Sequence, residues 1–371
     1  MSKLDYITVK GFKSIASIEK LEMRPLNVVI GPNGSGKSNF LGVFAFLNAI
    51  RDGKLQDYVA KSGWADNVLH FGAKTTQKLQ LHLSFQDEVN QYSLDLEPTP
   101  TGELYRSNEE VYFWGDKAAN EHPYQESLQG LDNLREAGIS APMLKGVGRH
   151  VRNHLASWRM YHVHDTGSIS PLKKPAAIED NDFLRGDGSN LPAFLYFLME
   201  KHPTSYSLIR RTIQLVTPFF ADFRLKPRRL NEATIQLEWL HKNSDQYFDA
   251  ASMSDGTLRF ILLATLFLQP EEYRPSVILV DEPELGLHPY AITMLGSLIK
   301  LAAAKTQVII ATQSPLLVDQ FTPEDILVAN RVGAGTTLTR LETKPLAKWL
   351  EDYSLGQLWE KNEFGGRPSS E

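Results

Sequence analysis

The sequence predicts an α/β fold built around a phosphate-binding loop, and three observations carry that prediction. The apolar run Leu26–Ile30 leads directly into Gly31-Pro32-Asn33-Gly34-Ser35-Gly36-Lys37-Ser38, a match to G-x-x-x-x-G-K-[ST] placed between a predicted strand and a predicted helix. Two short, continuous apolar runs, Val277–Val280 and Val308–Ala311, flank a helical segment at Tyr290–Ala303, the pattern of buried parallel strands joined by a crossover helix. Apolar alternation at Tyr6–Val9, Ile15–Leu21, Leu79–Phe85 and Tyr92–Leu96 gives the N-terminal part an antiparallel β character.

A helix is expected from Lys37 to about Ile50, and the Pro-Thr-Pro-Thr-Gly stretch at 98–102 marks a hairpin or exposed loop. From about Glu121 to Ser157 the pattern reads as helical. A short strand at Arg159–Val163 follows, then a loop rich in Gly, Pro and charge from Asp165 to Ser189, where an inserted lobe is placed. Leu191–Met199 and Tyr206–Val216 read as helices, Phe223–Leu225 and Thr234–Leu240 as strands, and Leu258–Leu268 as a mostly buried helix. The expected organisation is a first core segment over 1–116, a mostly helical insertion over 117–257 and a second core segment over 258–371.

With 42% hydrophobic and 22% charged residues in 371, the chain can bury a large core. It has no cysteine, which excludes disulfides and thiolate metal sites and fits a cytoplasmic setting. The charged start and the absence of any apolar run of 18 residues or more argue against membrane insertion. A net charge of −5 argues against a generally basic nucleic-acid coat but leaves room for a local basic groove.

The loop Asn33–Asn39 is the first candidate site. Glycines let backbone N–H groups of Asn33, Gly34, Ser35 and Gly36 approach phosphates, and the helix N-terminus at Lys37, Ser38 and Asn39 adds positive potential. Lys37 then reaches β/γ-phosphate oxygens and Ser38 ligates Mg²⁺, so ATP with magnesium is the expected ligand. The second site is the strand Val277–Val280 ending in Asp281-Glu282: Asp281 as the metal-side carboxylate, Glu282 as the base that orients an attacking water.

At this point the chain resembles a family. Asp281-Glu282-Pro283-Glu284-Leu285-Gly286-Leu287-His288-Pro289 is similar to the Walker B and D-loop of ABC-type ATPases related to RecF, SMC and OLD proteins. Met253-Ser254-Asp255-Gly256-Thr257 resembles the ABC signature, Ile309-Ile310-Ala311-Thr312-Gln313-Ser314-Pro315 the switch segment, and Gly11-Phe12-Lys13-Ser14-Ile15 the segment bordering the nucleotide. The loop Leu184–Leu191 and the ending Ser354–Trp359 are similar to those of bacterial RecF-like ATPases. The resemblance implies an ABC-type P-loop core, with a mixed sheet, an N-terminal antiparallel part and an inserted, mostly helical lobe carrying the signature. It also implies nucleotide contacts from Lys13, Ser14, Ser254 and Gly256, with the last two serving the opposite subunit of a head-to-head homodimer. Ser-Asp-Gly is equally a helix-capping sequence.

Two departures stand out. Gln313 replaces the switch histidine of many ABC ATPases; it can hydrogen-bond a γ-phosphate but does not titrate, which points to slow turnover or a switch. No Q-loop is clearly marked, and Gln86, just after Leu79–Phe85, is taken as the metal-side glutamine; a plain surface-loop role stays open. The segment after Pro315 is short and lacks Asp-x-Asp, so a C-terminal Toprim nuclease is not expected, and no heptad run suggests a long coiled coil.

Among weaker candidates, His162 and His164 beside Asp165 read as strand residues before a metal site. Asp180-Asn181-Asp182 reads as an acidic turn, and Arg210-Arg211 and Lys226–Arg229 as solvated charge that could also touch nucleic acid. By resemblance, the function expected is an ATPase that dimerises on ATP and controls a separately encoded effector, a nuclease or toxin, in bacterial anti-phage defence. The alternative is a RecF-like DNA-binding clamp in repair or recombination.

Overall fold

Burial alternates along the first strand, β1 (Leu4–Phe12), and its inward side chains Leu4, Ile7, Val9 and Phe12 are removed from water. It pairs antiparallel with β2 (Ile15–Glu22) through a tight turn at Lys13, whose φ of +48° lies in the left-handed region. The fully buried β3 (Leu26–Ile30) then delivers the chain to helix α1 (Lys37–Arg51). The computed structural model describes residues 3–115, 117–118, 121–128, 135–162, 167, 169–228, 230–333 and 335–365.

Two compact units emerge, the first from residues 1–158, 323–349 and 358–371, the second from 159–322 and 350–357. In the first, β4 (Leu79–Phe85), β5 (Asn90–Pro98), β6 (Leu104–Phe113) and β7 (Tyr124–Ser127) extend β2 and β1 into a six-stranded sheet in the order β2-β1-β4-β5-β6-β7. Every pairing in it is antiparallel, as the early alternation predicts. An aromatic cluster fixes α1: Phe46 stacks on Phe12 with ring centres 5.4 Å apart, and Phe44 lies 5.4 Å from Trp158. In the same unit, a C-terminal hairpin formed by Ile326–Val332 and Gly335–Arg340 runs its first strand parallel to β3.

The second unit holds the strands Val277–Asp281 and Gln307–Thr312, paired in parallel with Asp281 opposite Ala311 and linked by the helix Pro289–Ala303. The helix Asp255–Leu268 is buried continuously from Leu258 onward, as an apolar-all-round helix requires. Helices Leu191–Lys201 and Pro203–Val216 and two small three-stranded sheets complete this unit.

Three sequence expectations are corrected. The region read as helical from Glu121 to Ser157 contains the strand Tyr124–Ser127, and among its described residues the helices are a 3₁₀ turn at Gly138–Ser140 and the α-helix Gly146–Ala156. The single strand read over Thr234–Leu240 is two strands, Asn231–Ile235 and Glu238–His241, which join different sheets. The ten-residue strand β6 escaped the pattern because two inward positions are charged. A bulge opposite Asp95/Leu96, which pair with Asn108 and Arg106, turns both Arg106 and Glu109 inward.

There, Arg106 Nη1 donates to Glu109 Oε2 at 2.9 Å with both side chains fully buried. Glu109 also accepts from Tyr92 Oη (2.9 Å) and from the backbone N–H groups of Gly138 (2.5 Å) and Ile139 (2.9 Å). Such a pair is strongly destabilising when halved, because one charge stays buried alone. Glu109→Ala is expected to lower unfolding free energy by about 3–5 kcal/mol in urea titrations; a loss below about 1 kcal/mol, the scale of an exposed pair, contradicts the assignment.

Candidate functional site

The phosphate-binding loop lies in the first unit and has the form its motif requires. Gly34 and Gly36 take φ values of +79° and +99°, which residues with a Cβ rarely adopt. Gly36 is the N-cap of α1, which has no side-chain cap and no acidic residue in its first turn. An α-helix leaves its first N–H groups without internal partners, so this end offers uncapped donors and a positive partial charge to an anion. Lys37 is buried, and its Nζ donates to the carbonyls of Gly31 (2.7 Å) and Pro32 (3.1 Å) across the loop. Ser35 Oγ is buried with no hydrogen-bond partner among the described residues. An uncapped helix end, a buried ammonium and an orphaned hydroxyl together fit a polyphosphate. Asn33 and Ser38 are exposed at the same loop and first helical turn.

The predicted bordering segment is also in this unit. Ser14 Oγ accepts from Asn39 Nδ2 at 2.8 Å, joining the β1–β2 turn to the first turn of α1. The Lys13 ammonium is held near the rings of Phe12 and Tyr58, 5.5 and 5.8 Å from their centres, and burial pulls its pKa down. Gln86 occupies the β4–β5 turn with φ +59°, and its Oε1 accepts from Asn90 Nδ2 at 2.9 Å. Its N–H donates to Lys3 O beside the start of β1, about 26 Å along that strand from the Lys13–Ser14 turn that meets α1, so the expectation that Gln86 joins Ser38 on one metal ion is corrected.

The second unit gathers the acidic and switch residues. Asp281 ends its strand, and Glu282 follows with φ +42°, a left-handed conformation unusual outside glycine, while its N–H donates to Ala311 O at 2.8 Å. Gln313 Nε2 donates to Glu282 Oε1, so the predicted base and the predicted switch residue touch. The sequence reading gave no role to Glu284, yet it organises this cluster. It is buried, and its Oε1 accepts from Thr312 Oγ1 (2.5 Å) and from the Gln313 backbone N–H (3.0 Å). Burial pushes its carboxyl pKa up, against the pull of those hydrogen bonds. Its signal in the sequence was only a second glutamate two positions after Glu282.

Ser254 is the N-cap of the Asp255–Leu268 helix: Oγ accepts from the Thr257 N–H at 3.2 Å and lies 2.9 Å from Thr257 Oγ1. Gly256 has a packing reason of its own, since a Cβ there would come 2.3 Å from the carbonyl oxygen of Gly286 in the following loop.

The weaker candidates resolve into structural contacts. The His162 N–H donates to Gly186 O, while His164 and Asp165 lie outside the described residues. Asp180 pairs with Arg185 at 2.6 Å, Arg210 with Asp222 at 2.6 Å, and Arg228 with Gln236; Arg229 lies outside the described residues. Among the described residues no cluster of three or more His, Asp or Glu suits a metal, and no helix is long and apolar enough to cross a membrane.

Smc head domains share the fold: a head bound to the C-terminal winged-helix domain of ScpA superposes with a TM-score of 0.59 at 15% identity, covering 93% of this chain and 99% of that one. A head with an extended coiled coil, bound to the C-terminal domain of ScpA derived from Pyrococcus furiosus, gives 0.58 at 14% identity, covering 95% and 99%. In sequence, the chromosome partition protein Smc of Desulfitobacterium hafniense is 31% identical over 115 residues, 30% of this chain and 9% of that protein. Smc of Mycolicibacterium paratuberculosis is 41% identical over 63 residues, 15% of this chain and 5% of that protein. The matches thus span less than a tenth of these relatives' own lengths. The family model described as "AAA domain, putative AbiEii toxin, Type IV TA system" matches residues 26–319, well over half of the chain and both units. With a phosphate-binding loop on an Smc-head fold, the chain belongs to this AAA-domain family, among the ABC-type P-loop ATPases of the SMC/RecF-like superfamily.

Proposed function

We propose that the chain binds and hydrolyses ATP with Mg²⁺, pairs head to head on ATP, and through that cycle controls a separately encoded effector in bacterial anti-phage defence in the cytoplasm. The observation that carries the nucleotide reading is the uncapped, acid-free N-terminus of α1 with the buried Lys37 at its first position. Lys37 and the backbone of Asn33–Asn39 hold the phosphates, with Lys13 and Ser14 at the border of the site. Ser38 and Asp281 are the proposed magnesium ligands; the ion would neutralise charge on the phosphates. Glu282 orients the attacking water and takes its proton, and Gln313, which already holds Glu282, keeps that carboxylate aimed. Because Gln313 carries no titrating group, turnover is expected to be slow.

Pairing of heads rests on Ser254 and Gly256 at the start of a helix, where a hydroxyl and free N–H groups suit a phosphate of the other subunit. The family's description, which names a "putative AbiEii toxin" of a toxin–antitoxin system, supports the defence context. The Smc head solved with a domain of ScpA supports a protein partner. The relatives named for chromosome partition support a second reading, an ATP-dependent DNA clamp of RecF type. A DNA mobility shift that needs ATP and weakens steeply with salt selects that reading over the first.

Lys37→Ala removes the ammonium and is expected to weaken Mg-ATP binding by roughly ten- to a hundredfold in equilibrium titrations, the scale of a charge-assisted hydrogen bond; unchanged affinity refutes the loop assignment. Glu282→Gln is expected to bind ATP normally while releasing phosphate about a hundredfold more slowly or worse, and equal turnover removes Glu282 from the base role.

The head-pairing proposal is tested with Ser254→Asp. Aspartate caps a helix as well as serine does, so folding is preserved, but its carboxylate repels a phosphate brought by a second subunit. In sedimentation, the Glu282→Gln protein is expected to associate on addition of ATP, and the Glu282→Gln/Ser254→Asp protein to stay monomeric. Equal association of the two contradicts a shared site.

A further inference from the structure

No motif marks the C-terminal hairpin of the first unit, yet it backs the phosphate-binding loop at both ends. A Cβ on Gly31 would fall 2.4 Å from Ala329 O, and a Cβ on Gly36 would fall 2.1 Å from Thr336 Oγ1. Thr336 is 2% exposed, and its N–H donates to Ser14 O at 2.7 Å. Its Oγ1 lies 2.9 Å from the carbonyl oxygen of Ser35 and 2.8 Å from Ser14 Oγ. Ser14 Oγ in turn lies 2.8 Å from Asn39 Nδ2.

Proton counting orders these contacts. A hydroxyl has a single hydrogen to donate, and a carbonyl oxygen can only accept. Thr336 Oγ1 is therefore the donor that holds Ser35 O; it shares its single hydrogen with Ser14 Oγ, which also accepts from Asn39 Nδ2. Asn39, Ser14 and Thr336 thus form one network behind the Ser35 carbonyl. The Ser35–Gly36 peptide is trans, so its N–H points opposite to its C=O. Holding the carbonyl against the hairpin turns the Gly36 N–H away from it, and among the described residues that N–H meets no acceptor.

We infer that Thr336 is a positioning residue for nucleotide binding: its hydroxyl holds the Ser35–Gly36 peptide in the orientation that presents the Gly36 N–H to a phosphate. The inference rests on the ATP reading above. A loop whose peptide is already oriented spends no binding energy on ordering it.

The test compares Mg-ATP dissociation constants and thermal midpoints for wild type, Thr336→Val, Thr336→Ser and Lys37→Ala. Valine keeps the shape of threonine and removes the hydroxyl, leaving the buried Ser35 carbonyl without its donor, and is expected to weaken Mg-ATP binding by roughly tenfold. Serine keeps the donor and is expected to bind within about twofold of wild type, a rescue that loss of packing alone would not give. Wild-type affinity in Thr336→Val, or equal weakening in Thr336→Val and Thr336→Ser, overturns the inference while Lys37→Ala still binds weakly. Unchanged binding by Lys37→Ala overturns the ATP reading beneath it. Where Thr336→Val yields no folded protein, Thr336→Ala removes the same hydroxyl; a several-fold weakening beyond that of Thr336→Ser supports the inference, and wild-type affinity overturns it.

Discussion

The structure depends on keeping one short stretch of backbone donors aimed outward and unspent. A run of N–H groups without partners is costly wherever water is excluded, and proteins normally cap such a run with a side chain. Here α1 begins at a glycine with φ +99°, without a capping side chain and without a first-turn carboxylate, and its first residue is a buried lysine. Supporting that arrangement takes packing elsewhere. Phe46 on Phe12 and Phe44 near Trp158 fix the helix, β3 on the hairpin strand Ile326–Val332 fixes the approach to the loop, and Lys37 braces the carbonyls of Gly31 and Pro32.

The second unit meets a different electrostatic problem, several carboxylates close together. Glu284 is buried and accepts two hydrogen bonds on one oxygen, which offsets part of its desolvation and locks Thr312 and the backbone of Gln313. With the Gln313 main chain fixed there, its side chain is free to hold Glu282, whose own backbone sits in a strained left-handed conformation. Strain at the residue proposed to orient the attacking water, supported by a buried partner, is the arrangement that such a role calls for.

Much of this was legible in the sequence because its signals are short and local. The loop Gly31–Ser38 between an apolar strand and a helix, and the parallel strands that end at Asp281 and just before Gln313, follow from motif and periodicity alone. What was hidden depended on long-range contacts. Arg106 and Glu109 break the apolar alternation of β6 and hide a ten-residue strand, because only their mutual pairing makes their burial tolerable. Thr234–Leu240 reads as continuous β pattern, and the break at Gln236–Leu237 is decided by pairing with two different sheets. Thr336 is one of two adjacent threonines in a hairpin, and nothing near it in sequence indicates a loop some three hundred residues earlier. Gly256 reads as a signature glycine, while its packing against Gly286 is visible only in three dimensions.

The most direct test of the central claim, that the backbone of this loop is a preformed phosphate cradle, is amide hydrogen exchange over Gly31–Asn39 in the wild-type protein with and without saturating Mg-ATP. The account predicts that the amides of Asn33, Gly34 and Gly36–Asn39 become protected on addition of nucleotide, because their N–H groups gain phosphate acceptors, while that of Ser35 already donates to Pro32 O. Exchange in this stretch that is unchanged at saturating Mg-ATP would contradict it.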